Sequence, residues 1–147
     1  MKRAGKILLI VVLAGGVLVA ASPCIIYWAV LATLPGYPEA PQPLASTGPA
    51  ELDIWAEYSG HSQFGLKPVN PVQYVWLLMT CENVDVCLDE YPGLRVAGRV
   101  AQAYLSRQEP TRAIWWHLRS AALGIWLTRH WSAEQLLAQI VEEHRAS

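Results

Sequence analysis

Ile7-Leu-Leu-Ile-Val-Val-Leu-Ala-Gly-Gly-Val-Leu-Val-Ala-Ala-Ser-Pro-Cys-Ile-Ile-Tyr-Trp-Ala-Val-Leu-Ala-Thr-Leu34 runs for 28 residues without a single Asp, Glu, Lys or Arg. A helix needs about 20 apolar residues to cross roughly 30 Å of hydrocarbon. This stretch is long enough to do so, and it sets the frame for everything after it. Lys2, Arg3 and Lys6 precede it, and the next basic residue is Lys67. Positive flanks stay in the cytoplasm, which predicts a cytoplasmic stub and transmembrane anchor over 1–34 with the rest outside. A cleaved signal peptide is the rival, because Leu18-Val19-Ala20-Ala21-Ser22 offers small residues to a peptidase. The apolar run continues through Ile25, Ile26, Tyr27, Trp28, Val30 and Leu31, where a mature N-terminus should turn polar. That favours retention. Cys24 would suit a lipoprotein, but Pro23 stands where a small residue such as Gly or Ala is wanted.

Outward from the anchor, Pro35, Pro38, Pro41, Pro43 and Pro49 fall among Gly36, Ser46, Thr47 and Gly48. Proline fixes φ and removes a donor, so residues 35–51 read as an extended, semi-rigid linker holding a domain off the bilayer. The domain itself, 52–147, is short for one well-packed core. The whole chain has 147 residues, 53% of them hydrophobic and 16% charged, with net charge −1. A near-neutral chain argues against nucleic acid as a partner. Cys81 and Cys87 lie six apart on the side expected to be oxidising, which suits a local disulfide. Two buried thiols are the alternative. The spacing is not that of a zinc pair, so no metal ligands are assigned.

The domain reads as mostly helical. Asn70-Pro71-Val72-Gln73 supplies an N-cap, a first-position proline and a capping-box glutamine, predicting a helix to about Cys81. Asp85 to Gly93 reads as irregular, punctuated by Pro92-Gly93. Ala97, Val100, Ala101 and Tyr104 mark a second helix, with Arg95, Arg99 and Arg107 toward water. After Pro110 a third helix runs to about His130, apolar on most sides. Ser132 and Gln135 cap a fourth. Only Leu52 to Tyr58 hints at strand alternation, and the role of 52–67 is otherwise unassigned.

Chemistry centres on the end of the first domain helix, where Glu82 and Asn83 follow an apolar run. Partial burial and a helix C-terminus both raise a carboxyl pKa toward the range of a general acid or base. A solvated helix-end Glu is the plain alternative. Pro71 to Gly93, with Glu82-Asn83 and then Tyr91-Pro92-Gly93, resembles glycosyltransferase family 51, the peptidoglycan polymerase domain of penicillin-binding proteins. Its Glu-Asp pair and aromatic His-Pro-Gly turn would fall there. Arg112 to Glu142 follows the family's paired C-terminal helices, and Trp131-Ser132-Ala133-Glu134-Gln135-Leu136-Leu137 is similar to the start of its last one.

The resemblance implies a small lysozyme-like helical domain in the periplasm, on a single-pass bacterial inner-membrane anchor. It implies Glu82 as the base toward a lipid-linked disaccharide, with Asn83, Arg112, His117 and Arg119 on the substrate. Arginine suits the pyrophosphate through its planar fork, and the family implies a divalent metal cofactor there. The chain departs at three motifs, and the family's Gly-Ser-Thr-Ile-Thr-Gln-Gln stretch has no counterpart unless Val100-Ala101-Gln102 is its remnant. The family's Arg-Lys-x-x-Glu falls on Trp116-His117-Leu118-Arg119-Ser120, leaving Ser120 for the second acid. Its Glu-x-Tyr-Leu-Asn falls on Ala138-Gln139-Ile140-Val141-Glu142, without a polar match. Trp115, Trp116, Trp126 and Trp131, with Arg112, Arg119 and Arg129, form either an aromatic core or a membrane-facing surface.

Three functions follow. One is a transglycosylase acting on lipid-linked cell-wall glycan. Another is a lytic enzyme using a lone Glu. The last is a non-catalytic adaptor that keeps a glycan- or membrane-contacting surface within an envelope protein complex. A groove lined by Glu82 and Arg119 separates enzyme from adaptor.

Overall fold

The computed structural model describes residues 2–88, 90–108 and 112–146. Pro110, expected to precede the third domain helix, lies outside them. The described chain is all helical: α1 (Lys2–Leu31), α2 (Pro49–Ser59), α3 (Pro71–Thr80), α4 (Val84–Leu88), α5 (Leu94–Ser106), α6 (Ala113–His130) and α7 (Ala133–Ala146). Residues Ile10–Leu31 of α1 are long and apolar enough to cross a membrane. Pro23 lacks an N–H, so the Val19 carbonyl loses its usual donor. The Ser22 hydroxyl donates to that carbonyl instead, at 2.8 Å.

The capping signals form as the sequence implies. Asn70 Oδ1 accepts from the Gln73 N–H at 2.8 Å, and the Asn70 N–H donates to Gln73 Oε1 at 3.0 Å. Ser132 and Gln135 exchange the same pair of bonds ahead of α7. Two local expectations give way. Leu52 to Tyr58 lies inside α2, because Pro49 opens a helix whose Glu51 bonds back to the Gly48 N–H at 3.0 Å. Helix α2 therefore begins at Pro49, inside the expected linker. Within Asp85 to Gly93, α4 supplies a short helical turn before the loop.

Helix α6 is central. Leu123 and Leu127 join Trp55 of α2, Val96, Val100 and Leu105 of α5, and Leu136, Leu137 and Ile140 of α7 in the main core. Ala122 and Ile125, on another face, bury Tyr27, Val30 and Leu31 of α1. Two competing partners explain why α6 is apolar on most sides. They also divide the tryptophans: Trp131 is buried, Trp116 and Trp126 pack half-buried on the cores, and Trp115 is exposed.

Instead of holding the domain away, the proline-rich stretch lies over it. Leu34 and Leu44 pack on the core. Tyr37 stacks on Trp126 at 4.6 Å, and His130 stacks on Trp126 at 4.2 Å. The prolines keep the backbone extended, and the apolar side chains between them find helix surfaces to cover.

The α2–α3 connection is tied in as well. Trp55 Nε1 donates to the Gln63 carbonyl at 3.1 Å, and the Val69 N–H donates to the buried Thr128 hydroxyl at 3.2 Å. Gly93, at φ +81°, admits no side chain: a Cβ there would lie 2.6 Å from Leu66 Cδ1 and 2.9 Å from the Gly65 carbonyl.

Candidate functional site

Helix α3 carries no charged residue from Pro71 to Thr80, and it leans on α1 and α6. At its end Cys81 and Cys87 are joined by a disulfide with Cα atoms 6.2 Å apart. The bridge closes the turn bearing Glu82 and Asn83, and both side chains are exposed. The other residues expected at a site are spread along α6. Arg112 is exposed at its N-cap, and His117 is exposed with its ring edge-on to Trp116 at 5.1 Å.

Arg119 has a different engagement. Its Nε donates to Thr33 Oγ1 at 3.2 Å and its Nη2 to the Thr33 carbonyl at 3.0 Å. The planar fork that would suit a phosphate grips the chain just past α1 instead. Among the described residues no cluster of three His, Cys, Asp or Glu could hold a metal ion.

The substantial hollow lies elsewhere. A cavity of about 480 Å³ sits between α1, α3 and α6, walled by Pro23, Ile26 and Val30 of α1 and by Ile114, His117 and Leu118 of α6. A second, of about 410 Å³, lies between α3, α5 and α6 and reaches Leu88, Leu94, Arg95 and Arg99. The two share Tyr74, Leu78, Gly98, Gln102, Ser120 and Ala121, so they form one cleft with a waist. Neither half is lined by Glu82 or Arg119.

Three features mark the waist. Ser120 is 6% exposed, and its buried hydroxyl has no hydrogen-bond partner. Burial raises the Tyr74 phenol above its usual pKa. Gly98 stands inside α5, where glycine costs about 0.5–1 kcal/mol relative to alanine. A Cβ there would meet nothing within 4 Å. What the missing side chain preserves is open space.

Exposed apolar side chains are numerous on α3 and α6, and Leu78, Ile114 and Leu118 among them line the cleft. Trp76 is 69% exposed, Met79 78% and Ile114 68%, with Val72, Leu78, Trp115 and Leu118 exposed beside them. Sequence reasoning reached His117 and noted Ser120 only as the residue in place of an acid. It missed Tyr74 and Gly98, reached Gln102 only as a candidate motif remnant, and set Arg95 toward water, whereas Arg95 is half-buried in the cleft wall. A glycine amid helix formers in Leu94–Ser106 was the available signal, but a lone helix glycine has many causes. No family model, curated protein or solved structure matches this chain.

Proposed function

We propose that this chain is a single-pass inner-membrane module whose helical domain sits on the periplasmic side and works without catalysis. It would be an envelope adaptor bedded in the outer leaflet of the membrane. One observation carries this reading: the charge-free α3 and the first turns of α6 present exposed Trp76, Met79 and Ile114 beside the candidate span of α1. Large apolar side chains exposed together on neighbouring helices mark a membrane or partner contact. Retention of α1 is supported by the apolar run, which continues through Ile25, Ile26, Trp28 and Val30 where a mature N-terminus should turn polar. The disulfide is supported by an oxidising compartment. A lipid-linked glycan or an envelope protein complex is the partner this surface would serve.

The glycosyltransferase reading has the motif resemblance, and His117 and Ser120 do line the cleft. Its base, however, would be Glu82, which lies outside that cleft. Gln keeps the size of Glu but cannot move the proton. Under the adaptor reading Glu82→Gln leaves the cellular envelope phenotype at the wild-type level. Glycosyl chemistry through Glu82 would instead lose about 10²–10⁴-fold. Assay with labelled lipid-linked disaccharide distinguishes the two, and turnover that vanishes in Glu82→Gln overturns the adaptor. Topology has its own check. A reporter fused after Pro49 should be active only outside the cytoplasm, and cytoplasmic activity would reverse the charge-asymmetry argument.

A further inference from the structure

We propose that the cleft is a binding site for one phospholipid of the bilayer with an anionic head. The lipid enters from the outer leaflet, one fatty chain against α1 and its phosphate toward Arg99. This rests on reading α1 as a span with α3 and α6 beside it in the leaflet. The cleft's first wall belongs to the span: Pro23, Ile26 and Val30 lie within Ile10–Leu31. From Pro23 to the helix end at Leu31 is about 12 Å at 1.5 Å per residue. The mouth on that side therefore opens at the depth of lipid chains, and lipid is what meets it.

Polarity then changes along the cleft in the order of a glycerolipid. Apolar walls from α1 and α6 come first, the Ser120 hydroxyl and Gln102 stand at the waist, and Arg95 and Arg99 line the far half. Arg99 is exposed, with its guanidinium 5.6 Å from the Tyr58 ring centre. A buried hydroxyl without a partner calls for one. At the waist that partner is an ester carbonyl, which accepts from the Ser120 O–H. Gly98 keeps the floor open below it.

The test uses the full chain in phosphatidylcholine nanodiscs doped with phosphatidylglycerol carrying a chain-end diazirine. Labelled sites are mapped by peptide mass spectrometry. Label is expected on the cleft-wall peptides around Leu78 and Gln102, competed by unlabelled phosphatidylglycerol and not by inorganic phosphate. Labelling with the diazirine on phosphatidylcholine should be weaker there. Gly98→Leu fills the floor and should remove cleft label while label on the outer faces of α1, α3 and α6 persists. Ser120→Ala should reduce cleft label a few-fold, the worth of one hydrogen bond. Arg99→Gln should erase the preference for phosphatidylglycerol.

Cleft label unchanged by Gly98→Leu, or equal labelling by the two lipids, overturns the proposal. So does competition by inorganic phosphate, which would mean an anion site without a chain. Label confined to the outer faces removes the lipid site and leaves the membrane-facing surface standing. Absence of label from α3 and α6 altogether removes both. Should Gly98→Leu lose its helical circular dichroism, Ser120→Ala and Arg99→Gln decide the matter.

Discussion

Trp55→Ala should lower the unfolding temperature of the domain by about 15–30 °C, the largest shift expected from any single truncation. Trp55 is fully buried on α2, edge-on to Phe64 at 4.9 Å, with its indole N–H on the Gln63 carbonyl. Truncating a buried Trp typically costs about 3–5 kcal/mol. In a domain of under 100 residues each kcal/mol moves the midpoint by about 4–8 °C. The loss is twofold: a cavity opens between α2, α5 and α7, and the partly buried Gln63 carbonyl loses its donor. Trp55→Phe separates these effects, keeping most of the ring contact while deleting the N–H, and should cost less than half as much. Thermal unfolding followed by circular dichroism in detergent measures both. A shift of only a few degrees for Trp55→Ala would mean that α2 and the 60–69 loop are not part of the cooperative core.

Ile125→Lys should detach the domain from its anchor while leaving the main core folded. Ile125 is buried against Tyr27, Val30 and Leu31, whereas Leu123 and Leu127 face the other way into the main core. An ammonium buried there without a counter-charge costs several kcal/mol, which is relieved if α1 separates from α6. The Tyr37–Trp126 stack and the Arg119–Thr33 bonds bridge the same seam and would open with it. Protease cutting between Leu34 and Pro49 in proteoliposomes should pass from slow to rapid, while the helical signal of the domain persists. Arg119→Ala removes only the polar part of the seam and should accelerate cutting far less. A protected linker in Ile125→Lys would show that the proline-rich stretch, and not α1, holds the domain.

Several features were legible without the fold because they depend on neighbours within one helical turn. The Asn70–Gln73 and Ser132–Gln135 boxes are written in residues three apart, and both form. The Cys81–Cys87 bridge spans six residues. The charge-free run before Leu34 needs only its own length to qualify as a span. Leu52 to Tyr58 misled because seven residues carry both a period of 2 and a period of 3.6, and the decision fell to Pro49 and Glu51 just upstream.

The sequence by itself thus determined the mostly helical class, an apolar helix long enough to span a membrane and the capped starts of α3 and α7, and it offered the disulfide as one of two readings of Cys81 and Cys87. Only the tertiary structure decided what the ambiguous side chains do. Arg119 and Thr33 are 86 residues apart, so nothing local could tell an anchor clamp from a phosphate ligand. Which tryptophans are core and which are surface depended on how α1, α5 and α7 divide the faces of α6. The cleft takes its walls from residues as distant as Ile26, Tyr74, Gly98 and Ser120. Capping and hydropathy are set by neighbours along the chain, whereas burial, orphaned hydroxyls and open space exist only once distant helices have packed.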